Sequence, residues 1–295
     1  MPPISPPPLT GGACDIRAVL FDAAGTLLLP REPVGATYAR FARRYLASSA
    51  GLAASAGQSP AAAPSAARLG EAFARVFESA PANAHPDAPP GRRAALERAW
   101  WQARLRETFR AADQELRFEE SPHFGPCADA LWRHYGSPRA WRLAAGAEQA
   151  LAALRAQGLA LAILSNFDQR LHGLLRGLNV RRYFDAVVLP AESGAAKPSP
   201  ASFAHCLAQL GIAPRQALLV GDHPVRDLQA ARAAGLHALD IRQLPAAPAA
   251  NGAHNARAGG FAALPAVVER MNRRAQSATP GAAFAARGRA VGLRA

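Results

Sequence analysis

The stretch RAVLF, residues 17–21, followed without a break by Asp22-Ala23-Ala24-Gly25-Thr26, is an apolar run that stops on a carboxylate and turns through Gly-Thr. Five apolar residues alone do not separate a strand from a buried piece of helix. Repetition does. LALAIL (159–164), AVVL (186–189), ALLV (217–220) and LHALDI (236–241) are four more short apolar runs, each set off by helical patterns or turn signals. Continuous rather than alternating hydrophobicity marks strands buried on both faces, so the chain reads as α/β with a buried parallel sheet.

The span from Arg31 to Gly136 is built differently, with almost no strand-like run. Leu69, Phe73, Val76 and Phe77 make one helical stripe, and Trp101, Leu105 and Phe109 recur at i, i+4 and i+8 in another. This predicts a helical insertion after the first strand, with Trp100 and Trp101 packing between helices rather than stacking on a ligand. Residues 1–15, rich in Pro and Gly, and the tail 275–295 are predicted to be disordered. An Ala/Ser/Pro-rich stretch near 47–66 reads as a low-complexity loop, and residues 245–260 as a surface loop.

Half of the 295 residues are hydrophobic, enough for a substantial core. No apolar stretch reaches the roughly 18 residues of a membrane span, and the opening MPPISPPPLTGG lacks the basic start and apolar block of a secretory signal, so a cytoplasmic location is expected, with no membrane partner. Cys14, Cys127 and Cys206 lie far apart without ligand spacing, which predicts reduced, mostly buried thiols. The formal charge of +13 invites a nucleic-acid reading. The basic residues are scattered, however, and no nucleic-acid module is present, so the charge reflects a composition biased toward Arg. Among 34 basic residues only Lys197 is a lysine. A compact ammonium in a chain that otherwise uses Arg throughout points to a place where a planar guanidinium does not serve.

Polar residues cluster where these strands end, which is where open α/β sheets bind ligands. Asp22 follows the first run and Ser165-Asn166 the second; Lys197 follows the third, and Asp222 and Asp227 follow the fourth. Singly each has an ordinary explanation: a turn residue for Asp22, a helix cap for Ser165, a solvated charge for Lys197, helix N-terminal charges for the last two. Their order and their shared position after strands carry the argument.

VLFDAAGTLL, AILSNFD, AAKPSP and LLVGDHPVRD together resemble the four signature motifs of the haloacid dehalogenase-like superfamily. The resemblance runs from about Ile16 to Ile241 and is greatest to the haloacid dehalogenase-like hydrolase domain-containing branch of subfamily IA. It implies a doubly wound, Rossmann-like parallel sheet (16–30 and 137–274) with an inserted helical cap (31–136). It further implies a small phosphorylated or otherwise anionic substrate, with nothing that bears on oligomeric state. Asp22 would be the nucleophile, forming an aspartyl-phosphate. Ser165, Asn166 and Lys197 would hold the phosphoryl oxygens, Lys197 also acting in catalysis. Mg²⁺ would be held by Asp22, the main-chain carbonyl of Ala24 and Asp222, with Asp227 completing or orienting the set.

One position departs from the pattern. Phosphatases of this type carry an acid–base Asp two residues after the nucleophile, where this chain has Ala24. Loss of such a group costs about 10²–10⁴-fold. Four readings follow: a hydrolase of acyl phosphates, whose leaving group needs no proton; a hydrolase whose acid is His223 or Glu32; a 2-haloacid dehalogenase, in which Asp22 attacks carbon; and a non-catalytic protein that binds a phosphate ligand or a partner. The metal carboxylates speak against the third, and the retained nucleophile and lysine against the fourth. A phosphonate-cleaving reading fails because residues 31–136 contain no lysine.

Overall fold

A computed structural model describes residues 15–53, 64–245 and 260–277. Seven strands fall among them: β1 (Ala18–Phe21), β2 (Leu28–Pro30), β3 (Trp141–Leu143), β4 (Ala160–Leu164), β5 (Ala186–Val188), β6 (Ala217–Gly221) and β7 (His237–Asp240). Five form a parallel sheet in the order β5-β4-β1-β6-β7. From β1 the chain winds outward through β4 to β5, then returns past β1 to β6 and β7. The sheet is therefore doubly wound about β1, and the carboxyl ends beside that strand form the reversal point where such sheets bind ligands.

Side chains alternate between two cores, as the twofold period of a strand requires. Val19, Phe21, Leu161, Ile163, Leu218 and Val220 enter one core, shared with helices α5 (Ala147–Ala156), α6 (Arg170–Gly177) and α10 (Leu264–Ser277). Ala18, Leu20, Ala162, Leu164 and Leu219 enter the other, with α8 (Pro200–Leu210) and α9 (Ala230–Ala233). A short helix α7 (Pro190–Ser193) follows β5.

Between β2 and β3 run α1 (Val34–Ala53), α2 (Ala66–Glu78), α3 (Pro90–Ala112) and α4 (Phe124–Tyr135). Leu69, Trp101, Leu105 and Phe109 are buried, so the predicted stripes face inward. Tyr38 of α1 stacks on Phe109 at 5.9 Å between centroids and meets Phe73 and Tyr135 edge-on. Each such aromatic pair contributes about 0.5–1.5 kcal/mol beyond area burial. Trp101 packs edge-to-face on Trp132, in keeping with helix packing.

Three features differ from the sequence reading. The antiparallel pair β2–β3 closes the base of the insertion and was not foreseen, because each strand has three residues and its partner lies more than a hundred positions away. Residues 47–53, expected as the start of a low-complexity loop, are helical, since α1 continues to Ala53. Three alanines and a leucine among residues 47–53 favour the helix against Gly51, and no proline interrupts it. The tail expected to be disordered from 275 is helical as far as Ser277, where α10 ends; its remainder from 278, the rest of the loop (54–63), the surface loop at 246–259, the N-terminal segment 1–14 and Cys14 lie outside the described residues. Cys127 and Cys206 are buried free thiols whose titration burial pushes up to about 12. Among the described residues no helix is long and apolar enough to cross a membrane.

Candidate active site

The ladder of β1 carries one residue past the strand, with the N–H of Asp22 donating to Val220 O at 2.9 Å. That bond fixes the carboxylate at the strand mouth. The chain then folds tightly: Leu28 N donates to Ala23 O at 2.8 Å and Gly25 N to Leu28 O at 3.0 Å. Gly25 holds a φ of +98°, where a side chain would be strained, and a Cβ there would stand 3.2 Å from both carboxylate oxygens of Asp222. Thr26 donates its hydroxyl to Asp222 Oδ1 at 2.8 Å, tying the turn after β1 to the loop after β6.

Lys197 lies at the centre, 3% exposed, with Nζ 2.6 Å from Asp22 Oδ1 and 2.6 Å from Asp227 Oδ1. It is not a solvated charge. Burial alone would lower its ammonium, but Asp22 and Asp227 outweigh that and raise it, so it stays charged. Burial pushes the Asp22 carboxyl up to about 6 against the pull of Lys197. Asn166 lies behind the lysine. Its Nδ2 donates to Lys197 O and its Oδ1 accepts from Lys197 N, both at 2.8 Å, so the amide expected on phosphate oxygens is engaged with the lysine's main chain. Ser165 is buried at the end of β4, its hydroxyl accepting from Phe167 N at 3.3 Å.

Asp227 lies in the first turn of the stretch that follows β6 as π-helix at Pro224–Gln229, a form frequent at functional sites. Its Oδ2 accepts from the N–H groups of Asp222 and His223, at 3.3 and 3.0 Å. A Cβ on Gly221 would lie 2.6 Å from that oxygen, so only glycine lets Asp227 fold back here. Both Asp227 oxygens thus have partners within the protein.

Carboxylate oxygens of Asp22, Asp222 and Asp227 lie within 4.8 Å of one another. Three carboxylates against one ammonium leave an acidic excess of two charges, and an all-oxygen donor set suits a hard divalent cation such as Mg²⁺. The residues therefore fit a metal, with Asp22 and Asp222 the better placed because Asp227 is already engaged.

Both replacement acids suggested by the sequence have partners of their own. His223 Nδ1 accepts from Val225 N and Arg226 N at 3.2 and 3.0 Å, capping the helix, while Nε2 meets Glu78 at 3.0 Å. Glu32 takes the Thr37 hydroxyl at 2.9 Å and the Arg40 guanidinium at 2.7 Å, and Arg40 holds its carboxyl below the usual range.

A sequence profile of the haloacid dehalogenase-like hydrolases matches residues 16–235. The chain belongs to this family. It is 34% identical over 223 residues to haloacid dehalogenase-like hydrolase domain-containing protein 3 of Homo sapiens, a match covering 75% of this chain and 80% of that protein. A shorter match, 38% identical over 113 residues, relates 38% of the chain to 44% of the phosphoserine phosphatase of Thermus thermophilus. The crystal structure of a subfamily IA hydrolase of the superfamily from Geobacter sulfurreducens superposes with a TM-score of 0.53 at 20% identity, covering 88% of this chain and 99% of that one. Family membership accounts for the doubly wound sheet and makes the chain a member of a hydrolase family with phosphatases among its relatives.

Four buried acids lie outside the predicted set, Glu97, Glu119, Asp168 and Asp240, and Glu97 is the most deeply buried of them. Glu97 is 1% exposed on α3, four residues before Trp101, so the stripe 101-105-109 extends back one turn onto a carboxylate. That extension was the available signal.

Proposed function

We propose that the chain is a Mg²⁺-dependent phosphohydrolase working through an aspartyl-phosphate on Asp22, with acyl phosphates as its favoured class of substrate. The observation that carries this reading is the Asp22–Lys197–Asp227 bridge beside Asp222, a nucleophile, a cation and spare carboxylates gathered at the reversal point of the sheet.

Asp22 attacks phosphorus, forming an O–P bond as the leaving oxygen departs with its electron pair; water then attacks the same phosphorus, the Asp22 O–P bond breaks to return the carboxylate, and the water's proton leaves to solvent with phosphate. An acyl phosphate releases a carboxylate, which needs no proton, and this suits a site with Ala24 where the acid would stand and with both His223 and Glu32 engaged elsewhere. Lys197 offers charge to the phosphoryl oxygens, and Ser165 offers its hydroxyl. Asn166 and Asp227 act behind them, the first by holding the lysine's main chain and the second by holding its ammonium. Mg²⁺, held by Asp22, Asp222 and the Ala24 carbonyl, would neutralise charge on the transferring group. Helices α1–α4 form the cap over this mouth, and the substrate is a small phosphorylated molecule of the cytoplasm.

The test is phosphate release from acetyl phosphate and from a panel of monoesters, with Mg²⁺ and with chelator. Magnesium-dependent release favouring acetyl phosphate and absent in Asp22→Asn is expected. Equal activity with chelator, or survival of activity in Asp22→Asn, would overturn the reading.

A further inference from the structure

Glu97 belongs to the cap, yet among the described residues its side chain's one hydrogen bond is to the core. Oε2 accepts from the N–H of Gln169 at 3.2 Å, in the turn between Ser165 and α6, and Oε1 is buried without a partner. The surroundings are acidic. Asp168 lies in the same turn and Glu192 on α7, and both disfavour a second negative charge. The cations nearby are committed. Arg170 makes a two-pronged pair with Asp168 at 2.8 and 2.6 Å, donates to Trp132 O and lies 3.5 Å over the Trp132 ring. Arg93 of α3 donates to Ala191 O at 2.7 Å, and His172 of α6 meets Glu192 at 2.5 Å. Arg170 alone among these cations pulls the Glu97 carboxyl down, and the two acids and burial outweigh it; among the described residues Oε1 has no hydrogen-bond donor.

We propose that Glu97 is a positioning residue that seats the cap on the turn after β4 in its neutral form and loosens that joint when it ionises. A neutral carboxyl leaves one modest polar atom unpaired at the interface. A carboxylate leaves a buried charge beside two others, and the least costly relief is for water to enter between α3 and the turn. Burial pushes this carboxyl up to about 7, so the change falls in the neutral range. The turn also carries Ser165, and through it the joint governs how well the proposed phosphate site is formed. That consequence rests on the phosphohydrolase reading; the joint itself does not.

The four tryptophans, Trp100, Trp101, Trp132 and Trp141, all lie in or beside the cap, and Trp101 and Trp132 flank Arg170. Intrinsic fluorescence of the full chain therefore reports the joint without any turnover. Titration should show a transition with a midpoint near 7 in the native protein. Glu97→Gln should stay at the low-pH signal throughout, because glutamine keeps the acceptor for Gln169 and cannot ionise. Glu192→Gln, which retains Glu97, should move the midpoint to lower pH. A flat native titration, a transition that persists unchanged in Glu97→Gln, or one abolished by His172→Gln would overturn the proposal.

Discussion

Asn166 and Lys197 are joined twice, the asparagine amide donating to the lysine's carbonyl and accepting from its N–H, each at 2.8 Å. Two loops that leave different strands are thereby locked at one point, directly behind the ammonium that bridges Asp22 and Asp227. The geometry of the cation is set by main-chain hydrogen bonds as much as by charge.

Removing that lock should therefore act on kcat more than on KM. Asn166→Ala is expected to lower kcat on acetyl phosphate by up to about 10²-fold, the scale on which ångström misplacement acts. Steady-state kinetics with Asn166→Ala check this; an unchanged kcat would show that Lys197 is positioned by its two carboxylates alone.

Lys197 should tolerate no substitute. Lys197→Met leaves Asp22 and Asp227 unpaired in a buried site, a change that costs about 3–5 kcal/mol when one partner of a buried pair is removed. Lys197→Arg places a wider, planar group between oxygens that each lie 2.6 Å from one nitrogen, so it should fold with reduced stability and lose activity. Chemical denaturation and phosphate release measure the two effects separately.

Glu97 should make stability depend on pH with a defined sign. Its carboxyl titrates near 7 when folded and at its usual 4.5 when unfolded. Between those values the unfolded chain binds fewer protons, so stability falls as pH rises; below 4.5 the group has no effect, and above about 7 its cost is complete. The advantage of Glu97→Gln over the native chain should thus grow with pH by on the order of 3 kcal/mol. Urea denaturation across this window tests it, and a constant difference would contradict it.

Restoring a carboxyl at position 24 should widen the substrate range. Ala24→Asp is expected to raise monoester turnover, within the 10²–10⁴-fold scale of general acid catalysis, while changing acetyl phosphate far less. The ratio of the two activities is the measurement; an unchanged ratio would show that leaving-group protonation does not limit this site.

The sheet was legible in the sequence because strands buried on both faces write themselves as unbroken apolar runs, and all five central strands lie within one residue of those runs. Asp22 and Asp222 were legible because each directly follows a strand, and Lys197 and Asp227 because they stand in the segments that leave β5 and β6. What could not be read depends mostly on pairing across the chain: the β2–β3 ribbon, the engagement of Asn166 with Lys197, and the contact of His223 with Glu78, whereas Glu32 is taken by its near neighbours Thr37 and Arg40. Local pattern says where a side chain starts, whereas its partner, 31 positions away for Asn166 and 145 for His223, decides what it can still do.

Rapid-quench transfer of label from phosphoryl-labelled acetyl phosphate tests the central claim most directly. The account predicts that label appears on the peptide containing Asp22 before free phosphate is released, that chelation suppresses it, and that Asp22→Asn never acquires it. Phosphate released without passing through the protein, or label retained by Asp22→Asn, would contradict it.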